Sequence, residues 1–195
     1  MHLAFDIFQG LGIAAAAGIR PFLPALVTGA LAAGDIQIDF KGTDYSFLQG
    51  TPFLLAMLVV TCVLVTAEWR WRSVADRRPV VLAMLVPSLA IGAILFAGAL
   101  AQNEHTTWPG LVAGVACAVI GAGATVPLLR RARARLDRDA AGATSLYADG
   151  AAVVVAGLSV LAPPVGVLFL LALVWLLVSG WRRQPEKYAG LRILR

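Results

Sequence analysis

The chain has 195 residues, of which 59% are hydrophobic and only 14% are charged, and its mean hydropathy is +0.82. Soluble globular domains carry about 25% charged residues, so this composition excludes a soluble domain and predicts an integral membrane protein. The net charge of +5 does not indicate a nucleic-acid-binding protein, because the basic residues lie between apolar segments, where membrane topology explains them.

The first apolar segment extends from Phe5 to Ala33 and is interrupted in its middle. The sequence Gly18-Ile-Arg-Pro21-Phe-Leu-Pro24 contains two prolines, which lack the N–H group that a continuous helix needs. We therefore predict a broken membrane helix with the permanent charge of Arg20 beside the break. An ionisable residue at this depth indicates a functional site. Two alternatives remain, namely a structural strut paired with one carboxylate and a side chain that snorkels to the interface.

Five further apolar segments follow, so the sequence predicts an all-α transmembrane bundle of about six spans in one integral membrane domain, residues 1–195. The further spans are Pro52–Trp71, Pro79–Ala101, Trp108–Leu129, Leu146–Ala162 and Val165–Trp181. The last two are short, and they also fit a hairpin that does not fully cross the membrane. Between the first two spans, Ile36, Ile38 and Phe40 alternate with polar residues, which predicts a short strand-like or extended loop.

The basic residues predict the orientation of the spans. All lysines and arginines except Arg20 and Lys41 lie at or after the end of the second span, after the fourth span, or after the sixth span, from Arg182 into the tail 183–195. Short loops rich in Lys and Arg are typical of the cytoplasmic side. We therefore expect a multi-pass protein of a bacterial cytoplasmic (inner) membrane with both termini in the cytoplasm.

The spans can be grouped as two halves, residues 1–101 and 102–182, with three spans each. Three crossings per half would make the second half an inverted copy of the first. Gly18 and Pro21 in the first span have a counterpart in Gly123 and Pro127 of the fourth. Interrupted segments in corresponding positions are typical of transporters built from inverted repeats, although Pro127 lies nearer the end of its span.

The broken helix predicts an anion site near the middle of the membrane. A helix that begins after a break presents free N–H groups and a partial positive charge, and a guanidinium matches carboxylate or phosphate. The residues expected to bind substrate are Gly18, Arg20, Pro21, Phe22, Pro24 and, on the second span, Thr66. The Thr66 hydroxyl can instead bond to the backbone of its own helix.

Three carboxylates are candidates for proton coupling or for an ion pair with Arg20, and all three fall on the predicted cytoplasmic side. Asp6 lies at the start of the first span and Glu68 in the last turn of the second. Asp149 falls in the first turn of the predicted fifth span, where it can also simply complement the helix dipole. A desolvated carboxylate holds a proton more readily, so Glu68 or Asp149 could carry a coupling proton.

Several motifs of the chain resemble a known family of proteins. They are Ala15-Ala-Ala-Gly-Ile-Arg-Pro-Phe-Leu-Pro24, Glu68, Ser145-Leu-Tyr-Ala-Asp149 and Gly190-Leu-Arg-Ile-Leu-Arg195. The family comprises small bacterial multi-span inner-membrane proteins and is catalogued as a domain of unknown function. The resemblance implies a multi-span membrane fold and supplies neither a reaction nor a ligand.

The sequence contains no nucleophile elbow, metal-ligand set or nucleotide-binding loop, so we expect neither an enzyme nor a cofactor or metal site. We expect a small transporter or flippase for an anionic solute or lipid phosphate. The alternative is a non-catalytic membrane scaffold or accessory subunit in which Arg20 is a structural strut. Polar residues are sparse in the spans, which favours the scaffold. Expected partners are membrane lipids and the anionic small molecule or lipid phosphate, not nucleic acid, and the small size of the chain is compatible with a homodimer.

Overall fold

A computed structural model of the chain describes residues 2–70, 78–133, 135–136 and 138–182, apart from the side chains of 2, 68, 69, 78–81, 138–142, 181 and 182. The described residues form α-helices, one 3₁₀ helix and connecting turns, without a strand. The helices are α1 (His2–Ile19), α2 (Phe22–Ala33), a 3₁₀ helix (Ser46–Gln49), α3 (Thr51–Arg70), α4 (Arg78–Ala101), α5 (Trp108–Arg133), α6 (Arg138–Leu161) and α7 (Pro163–Arg182). The predicted all-α bundle is confirmed.

Four stretches of these helices are long and apolar enough to cross a membrane, namely Leu82–Ala101, Trp108–Arg133, Ala143–Leu161 and Pro163–Gly180. The helices α6 and α7 have 24 and 20 residues. At about 1.5 Å per residue, α6 is longer than the hydrocarbon core of a membrane is thick, and α7 matches that thickness. The two last spans are therefore longer than predicted, because the polar residues before Leu146 continue the helix beyond its apolar part.

The first apolar segment forms a helical hairpin. α1 runs antiparallel to α4, since Asn103 donates to the Asp6 carboxylate near one end of α1. Near the other end, the Ser88 hydroxyl donates to the Ala17 carbonyl at 2.8 Å. α1 ends at Ile19 because Pro21 can neither donate a hydrogen bond nor fit against the preceding turn.

After the break, α2 returns toward the end at which α1 begins. Pro21, with φ −65° and ψ −44°, has the geometry that favours proline at a helix start. Arg20 pairs with Asp149 of α6. Farther along both helices, a Cβ placed on Gly157 of α6 would be 3.9 Å from Val27 of α2. The predicted single broken crossing is thus wrong, since α1 and α2 fold back on each other.

The helices connect two opposite ends of the bundle. The loop end contains the start of α1, residues 34–50 and the loop 102–107. The arginine end contains the last turns of α3, α5 and α7 and the first turns of α4 and α6. The described side chains at the arginine end include Arg70, Arg130, Arg131 and Arg133.

The start of α1 and the end of α7 lie at opposite ends of the bundle. Asp6 contacts the loop 102–107, so α1 begins at the loop end. Gly166 at the start of α7 packs against Phe8, because a Cβ placed on Gly166 would be 2.5 Å from the Phe8 carbonyl oxygen. α7 therefore also begins at the loop end and finishes at the arginine end. The described part of the chain thus begins and ends at opposite ends of the bundle, because the hairpin returns the chain to its starting end. The tail 183–195 lies outside the described residues, so the location of both termini relative to a membrane stays a prediction.

The structure does not confirm the inverted repeat of residues 1–101 and 102–182. Both α1 and α5 run antiparallel to α4, so the leading helices of the two halves are parallel to each other, whereas inversion requires the opposite. Pro127 lies inside the continuous helix α5, while Pro21 separates two helices. The two interruptions therefore do not correspond.

The core is built around α1, and small residues allow its close contacts. Ala14 to Ala17 are fully buried. A Cβ placed on Gly18 would be 2.3 Å from the Ala118 carbonyl oxygen of α5, so the two backbones touch. At the loop end the predicted extended loop is wrong for residues 34–37, which form turns and bends with left-handed φ angles of 53° at Asp35 and 61° at Gln37; farther along this loop, Phe40 is fully buried in the core.

Candidate functional site

Arg20 and Asp149 form an ion pair at the break between α1 and α2. Arg20 Nε lies 2.6 Å from Asp149 Oδ1, and the two side chains are only 20% and 16% exposed. The backbone N–H of Arg20 donates to the Ala16 carbonyl, so the guanidinium extends from the last turn of α1. A charge with so little contact with solvent requires a partner, and Asp149 supplies it.

The position of Asp149 in α6 differs from the prediction. α6 begins at Arg138, so Asp149 lies eleven residues, or about 16 Å, past the helix start. The expectation that Asp149 complements the dipole of a first helical turn is therefore wrong. Ala152 and Ala156, one and two turns farther along, are fully buried. This small-residue face lets α6 approach α1 and α2 closely and brings Asp149 to the break.

The other residues predicted to bind substrate have different surroundings. Gly18, Pro21 and Pro24 are buried and form the turn of the hairpin, while Phe22 is half-buried beside them. Gly18 packs against the α5 backbone and leaves no space for a ligand on that side. Of the residues predicted to bind substrate at the break, Arg20 is therefore the one whose side chain has the charge and the donors that an anion needs.

Thr66 does not join the Arg20–Asp149 pair. Its exposed hydroxyl donates to the carbonyls of Cys62 and Val63 in its own helix, both at 2.9 Å. This is the backbone bond that the sequence offered as the alternative. Glu68 belongs to the same helix, but its side chain lies outside the described residues, so its predicted role in coupling stays a prediction.

A second polar contact lies one helical turn from Asp149, toward the arginine end. Arg133 donates through Nε to the Thr144 hydroxyl at 3.2 Å and through a terminal nitrogen to the Ser145 hydroxyl at 2.9 Å. Ser145 and Asp149 are four residues apart on α6, so their side chains are neighbours on the helix surface. The sequence does not indicate this contact, because Arg133 is one of the basic residues that membrane topology explains and no local pattern connects it with the two hydroxyls.

Asp6 belongs to a separate polar network at the loop end. It is 4% exposed and accepts hydrogen bonds from Gln102 and Asn103 at 2.8 Å, while His105 Nε2 lies 3.7 Å away. Asp6 precedes Arg20 by fourteen residues, or about 21 Å of helix. The expectation that Asp6 lies on the same side as Asp149 is therefore wrong.

An exposed ion pair at the loop end contrasts with the pair at the break. Lys41 contacts Asp35, and both side chains are more than half exposed to solvent. The hydrogen bond to the Asp35 carboxylate raises the pKa of Lys41. Both groups keep their contact with water, so this pair is a natural control for Arg20 and Asp149.

The chain matches a domain of unknown function (DUF4126) over residues 7–183. It belongs to this family. The matched region includes both Arg20 and Asp149 and extends from α1 to the residue after α7. The resemblance noted in the sequence is thus confirmed. No curated protein and no solved structure matches the chain.

In this DUF4126 protein, two of the motifs that indicated the family meet in space. Gly18–Pro24 supplies the break and Arg20, while Ser145-Leu-Tyr-Ala-Asp149 supplies the carboxylate and the Ser145 hydroxyl. The arrangement permits two changes that would open the pair. Protonation of Asp149 would remove its charge, and a competing anion would take its place on the Arg20 guanidinium.

Proposed function

We propose that the protein is a small transporter or flippase for an anionic solute or lipid phosphate and that Arg20 binds the anion. One observation carries this proposal, namely a guanidinium held at the tip of a helical hairpin inside a membrane bundle. Interrupted backbone at membrane depth occurs where it is buried in protein or lines a water-filled cavity. Ionisable residues at such breaks mark pathways for ions and substrates.

The ion pair supports a mechanism of proton–anion cotransport. In the closed state Asp149 occupies the guanidinium of Arg20. When Asp149 takes up a proton, the attraction is lost and the N–H donors of Arg20 become available to an external anion. Release of the anion and the proton on the other side restores the pair. One proton would thus accompany one negative charge, so that a monoanion crosses without net charge movement.

We place the arginine end in the cytoplasm. Arg70, Arg130, Arg131 and Arg133 lie there, and positive charge in short connections is typical of the cytoplasmic side. The N terminus and the Asp6 network then face away from the cytoplasm of a bacterial inner membrane. This orientation agrees with the predicted cytoplasmic location of the tail. It does not agree with the predicted cytoplasmic location of the N terminus.

The scaffold alternative is supported by the same contact. A direct 2.6 Å pair with little exposure can fix the hairpin to α6 without any ligand. In that case Arg20 would act as a strut, and replacing both charges together would leave every activity of the protein unchanged. The two proposals therefore differ in what a pair of neutral substitutions does to transport.

Reconstitution into liposomes with a trapped pH-sensitive dye would test the transport proposal. We expect an added anion, screened among phosphate, sulfate and dicarboxylates, to drive proton uptake through the wild-type protein. Arg20→Gln should abolish this uptake, and Asp149→Asn should allow anion exchange without proton movement. Lys41→Gln, which opens the exposed pair, should transport normally.

A fluorescent lipid phosphate with an extravesicular quencher provides the corresponding assay for a flippase. One outcome is that the folded Arg20→Gln and Asp149→Asn proteins transport an anion or a lipid as well as the wild type does. In that case Arg20 is not the binding residue. If the wild type moves no anion and no lipid, the scaffold proposal replaces transport.

A further inference from the structure

His105 lies in the connection 102–107, just after the end of α4, and that helix end fixes its backbone position. The backbone N–H of His105 donates to the Leu100 carbonyl at 3.2 Å, and that of Glu104 donates to the Ala101 carbonyl at 3.0 Å. Glu104 has a φ of 58°, the left-handed conformation that commonly follows a helix end. Two nested bonds around a left-handed residue form a Schellman motif, which ends α4 and holds His105 against it.

The imidazole of His105 faces the Asp6 carboxylate of α1. Its Nε2 lies 3.7 Å from Asp6 Oδ2, which is within the range of an ion pair but longer than a hydrogen bond. This nitrogen is buried and has no hydrogen-bond partner among the residues that the structure describes. The side chain as a whole is 34% exposed. Water therefore reaches the ring, while Nε2 stays beside the carboxylate.

The Asp6 carboxylate can accept one more hydrogen bond. Oδ1 accepts from Gln102 at 2.8 Å and from Asn103 at 3.0 Å. Oδ2 accepts from Asn103 at 2.8 Å, and each carboxylate oxygen has about two positions for a donor. The oxygen with a position to spare is thus the one that His105 Nε2 faces. Asp6 is almost fully buried, so water competes little for this position.

The charges around His105 favour its protonated form. Asp6 faces the ring from α1, and Glu104 precedes it in the same connection. On the other side, His105 lines a cleft of about 240 Å³ together with Glu104 and, from the loop 34–50, Asp44 and the neutral phenol of Tyr45. The described charged groups that contact the ring or line this cleft with it are therefore carboxylates. The carbonyl end of α4 adds a partial negative charge.

We propose that His105 and Asp6 form a latch at the loop end that acid strengthens. When the imidazole is protonated, Nε2 donates a charge-assisted hydrogen bond to Asp6 Oδ2 and ties the connection 102–107 to the start of α1. The unfolded chain lacks this pair, so its stabilising effect is present at acid pH and is lost as the pH rises and the imidazole loses its charge. The bonds from Gln102 and Asn103 do not titrate and hold the connection in both states.

The latch does not depend on the proposed function. It acts on α1, which runs without interruption from His2 to Ile19 and leads directly to Arg20. In the proposed orientation the loop end faces away from the cytoplasm, so the latch would respond to acid outside the cell. Acid on that side would then restrain the helix that carries the hairpin tip.

Hydrogen–deuterium exchange of the purified full chain in a neutral detergent tests the latch without any transport. Exchange of the peptide that covers residues 102–107 is followed at about pH 5.5 and at about pH 8, on either side of the range in which histidine changes its charge. Wild type and His105→Gln are compared at the same pH, because intrinsic exchange rates depend on pH. Glutamine keeps an amide donor but cannot take up a proton. His2→Gln removes the other histidine of the chain, whose side chain lies outside the described residues, and serves as the matched control.

We expect the peptide 102–107 to exchange about threefold to tenfold more slowly in the wild type than in His105→Gln at the acid pH, because the charge-assisted bond exists only there. At the basic pH the two proteins should exchange equally. His2→Gln should match the wild type at both values. In an Asp6→Asn background, His105→Gln should change nothing at either pH, because the partner carboxylate is missing.

An equal difference between wild type and His105→Gln at both pH values would mean packing that does not depend on charge and would overturn the proposal. No difference at the acid pH would overturn it as well. An acid effect that disappears in His2→Gln and persists in His105→Gln would assign the titration to His2 and contradict the latch. If Asp6→Asn does not fold, the comparison of wild type with His105→Gln still decides. Transport through Arg20, found or missing, alters none of these outcomes.

Discussion

The contact between Arg20 and Asp149 predicts a strong energetic coupling between two residues that are distant in sequence. The perturbation is a double-mutant cycle with Arg20→Gln, Asp149→Asn and the double variant. Each single substitution leaves one charge at the break without its partner. The double variant leaves two neutral amides of similar size, which can bond to each other.

The distance and the burial of the pair set the expected magnitude. Two unit charges about 4 Å apart attract each other by about 4 kcal/mol when the effective dielectric constant is about 20. Removing one partner of a buried pair typically costs about 3–5 kcal/mol. The side chains keep 20% and 16% of their exposure, so we expect the lower end of this range. Each single variant should lose about 3 kcal/mol of unfolding free energy, and the coupling should be about 2 kcal/mol.

Equilibrium unfolding in mixed micelles of a mild detergent and dodecyl sulfate measures these free energies. The exposed pair of Lys41 and Asp35 provides the control cycle, with Lys41→Gln and Asp35→Asn. Since both of its groups remain in water, this second cycle should show no measurable coupling. Additive losses for Arg20→Gln and Asp149→Asn would refute the argument, because they would show that the two side chains do not interact in the folded protein.

Three further predictions concern packing, the loop-end network and Thr66. Gly18→Ala should destabilise the bundle by about 1–3 kcal/mol because its Cβ meets the α5 backbone, whereas Gly150→Ala, with nothing within 4 Å, should be neutral or slightly stabilising in thermal unfolding. Asp6→Asn should cost about 1–3 kcal/mol, since its new amide donor faces the donors of the loop 102–107, and exposed Asp44→Asn should be neutral in the same assay. Thr66→Val should leave anion-driven proton uptake unchanged, because its hydroxyl bonds within its own helix, and a loss of uptake would return Thr66 to the site.

The break at Arg20 could be predicted from the sequence, but the direction of the chain after it could not. Pro21 and Pro24 lack N–H groups, so a continuous helix through them is unfavourable on local grounds alone. Whether the next helix continues across the membrane or turns back depends on contacts with α6. Those contacts involve residues such as Gly157, which is far from the break in the sequence. Local sequence patterns therefore do not reveal these contacts.

The predicted position of Asp149 in a first helical turn is wrong because hydropathy locates the apolar part of a helix and not its start. α6 begins at Arg138, in a polar stretch that hydropathy assigns to a loop, so Asp149 lies in mid-helix. The sequence names Asp149 as one of three candidate partners of Arg20, together with Asp6 and Glu68, but it does not select among them. Opposite charges far apart in sequence give no local signal of their contact.

The small residues were the most informative about packing. Ala14 and Gly18 are four residues apart, as are Gly110 and Gly114, and a Cβ placed on Gly18 or Gly114 would lie within contact distance of a neighbouring backbone. Spacing of this kind reflects a local requirement for close approach, which any partner helix can satisfy. The contact of Arg133 with Thr144 and Ser145, in contrast, depends on which two helices are adjacent, and neither charge nor spacing indicates it.

The most direct test of the transport proposal is the access of water to the hairpin tip. Ile19→Cys places a thiol beside Arg20 without removing the ion pair, in a background where Cys62 and Cys117 are replaced by alanine. A membrane-impermeant thiol reagent is applied to either side of oriented vesicles. We predict labelling from the arginine end at rest, and labelling from the loop end when the transported anion and acid are added. A folded protein that is labelled from neither side would contradict transport through this site and would leave Arg20 as a dry structural strut.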